Sequence, residues 1–224
     1  MTPQGMFVAF EGIDGCGKTT AIRNVAERLR ELGIECLTTQ EHQLNRETGK
    51  RINEILTGKS PLVDPLELQK LFILDRKDHV EHVVKPALKR GITVLTDRYW
   101  FSTLAYGMLS GPMDKFISLH RSLMGDNFLI PYITFYLDIP ADLAMERIQK
   151  TRVSPTHFEK LRKLERVRKN YQALAQAGIA DVVQIDGAME PQAVTDAIVK
   201  SLMPRLGALR KPTNASIEKD HTSR

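Results

Sequence analysis

Phe7-Val-Ala-Phe-Glu-Gly12-Ile-Asp-Gly15-Cys-Gly17-Lys18-Thr19-Thr20 is the stretch whose reading decides the fold. Its first four residues are an apolar run, short enough for a strand buried on both faces. Gly12-x-x-x-x-Gly17-Lys18-Thr19 then follows the P-loop pattern. Beyond it Ile22, Val25, Ala26, Leu29 and Leu32 recur at helical spacing, with charges between them. Strand, glycine loop and helix in that order are the context the motif requires. Glycines let successive N–H groups turn inward with no Cβ in the way, and the helix N-terminus behind them favours a phosphate chain. Gly12, Ile13, Asp14, Gly15, Cys16, Gly17, Lys18, Thr19 and Thr20 are therefore expected to cradle the phosphates of ATP or GTP. Lys18 would reach the terminal phosphates, and the Thr19 hydroxyl would ligate Mg²⁺.

Working outward, buried strands are predicted over 34–39, 92–97, 132–138 and 181–186 in addition to the first. Between them lie helical patterns over 47–57, 65–89, 102–110, 114–124, 141–150, 158–177 and 191–206, with Gly33 a C-cap and Pro86 a kink or stop in the second. Polar loops occupy 40–46 and 152–157. Strands alternating with helices imply an α/β fold: a doubly wound, five-stranded parallel sheet with helices on both faces. Residues 1–206 read as one nucleotide-kinase-like domain. Residues 1–5 read as a frayed lead-in, and 207–224, with almost no apolar content, as a disordered tail.

Composition removes several classes. Two cysteines, Cys16 and Cys36, give neither a disulfide framework nor zinc spacing. No signal peptide or membrane-spanning run is visible, so the expected location is the reducing cytosol, with no membrane partner. Asn214-Ala-Ser216 fits a glycosylation acceptor but has no secretory signal to go with it. The formal charge of +5 and pI of about 9.2 suit a handler of anionic phosphates as well as a nucleic-acid binder. The basic residues are spread over the chain, the densest stretch being 160–169, and no aromatic RNA-binding motif accompanies them. A solvated helix face or a phosphate lid is the reading preferred over nucleic-acid binding.

A second signal narrows the P-loop class. Asp97-Arg98-Tyr99 closes a buried strand and is followed by Ser102-Thr103-x-Ala105-Tyr106. Arg98, a fixed fork at a strand end, suits the phosphate of an acceptor, and Asp97 suits Mg²⁺ held through water. The plain alternative is a local Asp97–Arg98 ion pair. With Thr48-Gly49-Lys50-x-Ile52, Phe72-x-x-x-Arg76-x-x-His79 and Phe135-Tyr-Leu-Asp138, the sequence resembles the thymidylate kinase family over nearly the whole chain to about residue 206.

The resemblance implies an ATP- and Mg²⁺-dependent kinase that converts dTMP to dTDP. It implies that Asp14 faces the acceptor's 3′-hydroxyl, Phe72 stacks on its base and Arg76 hydrogen-bonds the base's carbonyl edge. Ser102, Thr103 and Tyr106 would complete the pocket. Read without the family, Phe72 is a core residue and Ser102-Thr103 a helix N-cap. The stretch 147–159 matches the family's lid. Gly15 stands where some members carry a P-loop arginine, so a lid donor is implied, with Arg147, Lys150 and Arg152 as candidates. The catalytic set is then Lys18, Asp14, Arg98, Arg147 and Arg152, and a homodimer through the helix after Asp64 is implied as well.

The chain departs from the family pattern in two places. Gln40-Glu41-His42 replaces an Arg-x-Pro element, and Leu44 falls where a further phosphate-binding arginine is common, with Arg46 the nearest substitute. His157 precedes Phe158-Glu159 where an arginine is usual. Rival readings are a kinase for another deoxynucleotide or a deoxynucleoside, a non-catalytic nucleotide-binding homologue, and a basic nucleic-acid binder. Deoxynucleoside kinases carry Glu-Arg-Ser at the Asp97-Arg98-Tyr99 position, and the Asn-Lys-x-Asp motif of GTPases is absent from the sequence.

Overall fold

Phe7–Glu11 is buried along its whole length and forms the central strand β1. The computed structural model describes residues 5–149 and 157–210. Beside β1 lie β2 (Cys36–Gln40), β3 (Thr93–Asp97), β4 (Ile133–Asp138) and β5 (Val182–Asp186), in the spatial order β2-β3-β1-β4-β5. Every neighbouring pair is parallel. This is the doubly wound sheet that the sequence pattern predicts, with each strand within two residues of its expected limits. β2 starts late because Ile34 N–H is taken by Leu29 O at 2.9 Å, in the turn that ends the first helix at Gly33 (φ 70°).

The helices are α1 (Lys18–Glu31), α2 (Glu47–Leu56), α3 (Pro65–His79), α4 (Lys85–Lys89), α5 (Trp100–Gly107), α6 (Met113–Met124), α7 (Ala141–Gln149), α8 (His157–Gln176) and α9 (Pro191–Arg210). α1 and α9 pack together on one face of the sheet, and α3, α5 and α8 cover the other. That division follows from right-handed crossovers leaving the central strand in opposite directions. One hydrophobic core runs from Met6 to Leu206.

Three expectations are corrected. The helix predicted over 65–89 is interrupted by a π-helical turn, Val80–Val84, and restarts as α4 with Pro86 in its first turn, where a missing N–H costs nothing. The last helix continues to Arg210, because Leu206 is buried and Leu209 packs against the core; residues 211–224 lie outside the described residues. Gly5 belongs to the packed structure: its N–H donates to Leu88 O at 3.0 Å, and a Cβ there would sit 2.0 Å from Ile92 O.

The buried face of α3 is also unusual. Its apolar periodicity points inward at Ile73, but its other buried residues are Gln69, Asp75, Arg76 and His79, while Leu74 faces outward. A polar face turned inward calls for partners: Arg76, His79 and Asp75 Oδ2 find them at the functional site, whereas Gln69 Oε1 and Asp75 Oδ1 have none among the described residues.

Phe135 on β4 is fully buried and its ring centroid lies 5.6 Å from that of Phe10. Phe135→Ala is expected to destabilise the fold by about 3–5 kcal/mol, read from chemical denaturation.

Candidate active site

β1 and β3 are hydrogen-bonded neighbours, with Phe10 aligned on Asp97. The chain therefore leaves both strands at the same edge of the sheet, the carboxyl edge where open α/β sheets bind ligands. The Arg98 N–H donates to Phe10 O at 2.9 Å, extending the pairing one step beyond β3. The P-loop and the Arg98 segment emerge side by side.

Gly12, Gly15 and Gly17 have φ of 142°, 80° and 94°, which turns the loop's N–H groups toward one concavity. Gly15 is closed to larger residues: a Cβ there would meet Ala144 O of α7 at 2.5 Å. Proximity of α7 and positive φ thus both favour glycine at this position. The buried Lys18 side chain curls back over the loop, and its Nζ donates to Gly12 O (3.1 Å) and Ile13 O (3.0 Å).

Thr19 Oγ1 donates to Asp97 Oδ2 at 2.7 Å. Both line a cavity of about 330 Å³ with Asp14, Gly15, Gly17, Lys18, Thr20 and Arg98. Among the described residues no cluster of three or more His, Cys, Asp or Glu could hold a metal by itself. A hydroxyl and one carboxylate beside a phosphate cradle are nonetheless the oxygen donors that suit Mg²⁺ bound together with a nucleotide.

Arg98 is the one described non-glycine residue with positive φ, at 67°. That conformation is disfavoured for a residue with a Cβ, by roughly 1–2 kcal/mol, and the surrounding contacts hold it. Its Nη2 donates to Asp14 Oδ1 at 2.5 Å, and its Nη1 to Ser102 Oγ (3.0 Å), Gly12 O (3.3 Å) and Tyr171 Oη (3.3 Å). The guanidinium therefore faces the P-loop.

Glu11 stands behind it, fully buried. Its carboxylate accepts from Tyr99 N–H (2.8 Å), Ser102 N–H (3.1 Å), Ser102 Oγ (2.6 Å) and Tyr171 Oη (3.0 Å). Burial pushes its carboxyl above the usual range, opposed by the Ser102 hydrogen bond and by Arg98. Glu11 thus caps α5 from across the sheet, and Ser102 lies inside the helix rather than at its N-cap.

A larger cavity of about 740 Å³ runs from Asp14 and Arg98 to Phe72, Arg76, Ser102, Thr103 and Tyr106. Phe72 is half-buried in its wall, edge-on to His42 at 5.8 Å, so it is cavity lining and not core. Tyr106 Oη donates to Asp14 Oδ2 at 3.2 Å, and its hydroxyl is pushed up to about 12, chiefly by burial.

Arg76, expected at the base's carbonyl edge, stands in the wall of this cavity. Its guanidinium is buried, and every N–H is already used: Nε on Glu41 Oε2 (2.7 Å), Nη2 on Glu41 Oε2 and Tyr99 O (2.9 Å), Nη1 on Thr103 Oγ1 (3.0 Å) and His120 Nε2 (2.7 Å). The Glu41 that balances it comes from the altered loop after β2. Arg46 in that loop has its Nε 3.2 Å from Asp78 Oδ2.

Arg147, expected in the catalytic set, stands in the last turn of α7. Its Nη1 donates to Gly187 O at 2.9 Å, and it lines a separate groove of about 260 Å³ with Cys16, Gly17, Thr20, Leu137 and Met189. The last turn of α7 thus meets the loop after β5 beside the P-loop. The other lid candidates, Lys150 and Arg152, and the side chain of His157 lie outside the described residues.

Four site residues escaped the sequence reading: Glu11, Glu41, His120 and Tyr171. Glu11 carried a readable signal, an acid closing a buried strand beside a P-loop. Tyr171 fits the apolar stripe of α8, and nothing local announces where its hydroxyl goes.

The thymidylate kinase family model matches residues 10–198. A thymidylate kinase of Prosthecochloris aestuarii is 34% identical over 95% of this chain and 100% of its own length. That of Caulobacter vibrioides is 35% identical over 91% of this chain and 99% of its own, and a probable thymidylate kinase of Thermococcus kodakarensis 36% identical over 76% and 84%. The chain belongs to the thymidylate kinase family. The recognition motifs of the sequence reading thus lie within a match that spans most of the fold.

Burial alone would raise the Asp14 carboxyl, but Arg98 and Lys18 outweigh it and hold it below its ordinary value of 3.8. A depressed folded pKa contributes stability above the unfolded value that is lost as pH falls through the folded one. The gap in unfolding midpoint between wild type and Asp14→Asn is therefore expected to be steady near neutrality. Thermal melts from about pH 6 to about pH 3 should show it narrowing at the acid end.

Proposed function

We propose that this chain transfers the γ-phosphoryl group of ATP to dTMP, giving dTDP and ADP, with the residues gathered around Asp14 and Arg98 as its catalytic centre. The observation that carries the reading is the Arg98 guanidinium, fixed 3.3 Å from Gly12 O of the P-loop and 2.5 Å from Asp14. Two phosphate sites so placed hold donor and acceptor end to end, the arrangement that in-line transfer requires.

In this reading ATP lays its phosphates along the P-loop, with Lys18 moving from the loop carbonyls onto the terminal phosphates. The groove beside Cys16, Gly17 and Arg147 receives the donor's base. dTMP enters the larger cavity with its base against Phe72 and its phosphate on Arg98. A phosphate oxygen of dTMP then bonds to the γ-phosphorus as the bond to the β-phosphate oxygen breaks, and ADP leaves. Mg²⁺ held by Thr19, and through water by Asp97, would neutralise the ATP oxygens. Asp14, kept ionised by Arg98, orients that guanidinium and accepts from the sugar hydroxyl. Lys150 and Arg152 are the lid donors this reading favours once Arg147 is assigned to the donor-base groove.

A homodimer through α3 belongs to the same reading. Leu74, 43% exposed on that helix, supplies apolar surface for it, and light scattering on the purified chain tests it. The proposed location is the cytosol; among the described residues no helix is long and apolar enough to cross a membrane.

ADP release measured with dTMP, dUMP, dGMP and thymidine is expected to be fastest with dTMP. Turnover of thymidine without turnover of dTMP would overturn the assignment. Lys18→Ala is expected to lower kcat with dTMP by about 10²-fold or more while the fold persists by circular dichroism.

A further inference from the structure

A third cavity, of about 540 Å³, lies between α1 and the edge strand β2 with the loop that follows it. It shares Thr19 and Asp97 with the phosphate cradle and no lining residue with the acceptor cavity. Its volume is within the range of about 300–1,000 Å³ that small-molecule sites occupy.

The charge of this cavity is one-sided. Arg23 and Arg30 of α1 line it, both exposed. Seven residues apart, they stand on nearly the same helix face with about 10 Å of rise between them. Arg28 on the same helix has its Nε 3.4 Å from Glu31 Oε2. Arg23 and Arg30, by contrast, have no hydrogen-bond or ion-pair partner among the described residues. Asp97 is the one carboxylate among the described lining residues, and its Oδ2 already accepts from Thr19 Oγ1 at 2.7 Å. β2 and its loop add the Thr38 hydroxyl and the Asn45 amide, which are likewise unpartnered among the described residues. Ile22, Ala26 and Leu44 give the cavity an apolar portion; Leu44, 50% exposed, is one of the departures from the family pattern.

Unpaired guanidinium groups on one wall attract anions, and their fork geometry matches phosphate oxygens. A separation of two helical turns suits a chain of phosphates better than a single one. We propose that this cavity is a second anion site, distinct from the P-loop, that takes an extended polyphosphate, free or carried by a nucleoside, on Arg23 and Arg30. The Thr38 hydroxyl and Asn45 amide donate to the same chain, and a nucleoside, where present, rests on Ile22, Ala26 and Leu44. Because Thr19 and Asp97 close one end, a bound polyanion sets like charge beside the ATP phosphates and opposes ATP binding. That consequence rests on the function proposed above; the binding itself does not.

The test is calorimetric titration of inorganic tripolyphosphate at fixed ionic strength into Lys18→Ala, whose P-loop lacks its cation. Saturable binding at one site per chain is expected. Adding Arg23→Gln and Arg30→Gln should weaken it about tenfold or more. Adding instead Lys89→Gln and Arg90→Gln, two exposed positions at the end of α4, removes the same charge elsewhere and should leave the affinity within about twofold. Absence of saturable binding, no loss on changing Arg23 and Arg30, or an equal loss in the control pair overturns the proposal. GTP separates the two sources of the chain. Binding at least about fivefold tighter than tripolyphosphate, with the gain lost in Leu44→Ser, assigns a nucleotide; equal or weaker binding assigns the inorganic chain. Circular dichroism checks that each variant is folded. If Lys18→Ala does not fold, wild type is titrated, and its two sites must fall to one when Arg23 and Arg30 are changed. Failure of the kinase reading would appear as no turnover of dTMP and would leave this titration unaffected.

Discussion

Parallel pairing of β1 with β3 is the constraint on which the site depends. Because Phe10 is in register with Asp97, the P-loop and the Arg98 segment leave the sheet at the same level, and one further hydrogen bond, Arg98 N–H to Phe10 O, locks the second to the first. A register shift on either side would separate them by a residue's rise and turn Arg98 to the opposite face. The positive φ of Arg98 belongs to the same arrangement: it aims the guanidinium at the P-loop, and Asp14, Ser102, Gly12 and Tyr171 hold it there.

Around this junction the chain buries charge in two linked sets. Glu11 balances the Arg98 side and caps α5; Glu41 balances Arg76 on α3. Buried ion pairs are weak sources of stability, since desolvation offsets most of the attraction. Their value here lies in geometry, because each carboxylate satisfies several donors and leaves its arginine one orientation. That also accounts for the polar inner face of α3, whose buried Asp75 accepts from Gln43 N–H at 2.9 Å and so fastens the loop after β2.

α8 is tied to the sheet in a similar way. Asp138 at the end of β4 accepts from Arg168 Nε and Nη2 at 2.7 and 3.1 Å, and Tyr136 stacks on Tyr171 with centroids 5.5 Å apart. α8 is thus anchored near the site through Tyr171, while α7 closes on Gly15.

The sequence by itself determined the α/β class, all five strands, the P-loop and its partner motif at Asp97-Arg98-Tyr99, because these depend on local periodicity and on glycine and charge at fixed spacing. Gly33 as a helix end was legible for the same reason. The π-helical turn before Pro86 and the extension of α9 to Arg210 were not, since each is settled by what packs against it. Only the tertiary structure decided the partners of buried charge. Arg76 is held by Glu41, 35 positions upstream, and by Tyr99, Thr103 and His120, 23 to 44 positions downstream. Arg147 likewise reads as a lid donor and is held by Gly187. Hydrogen-bond saturation is a property of three-dimensional surroundings, and no spacing rule along the chain reports whether an arginine still has an N–H to give.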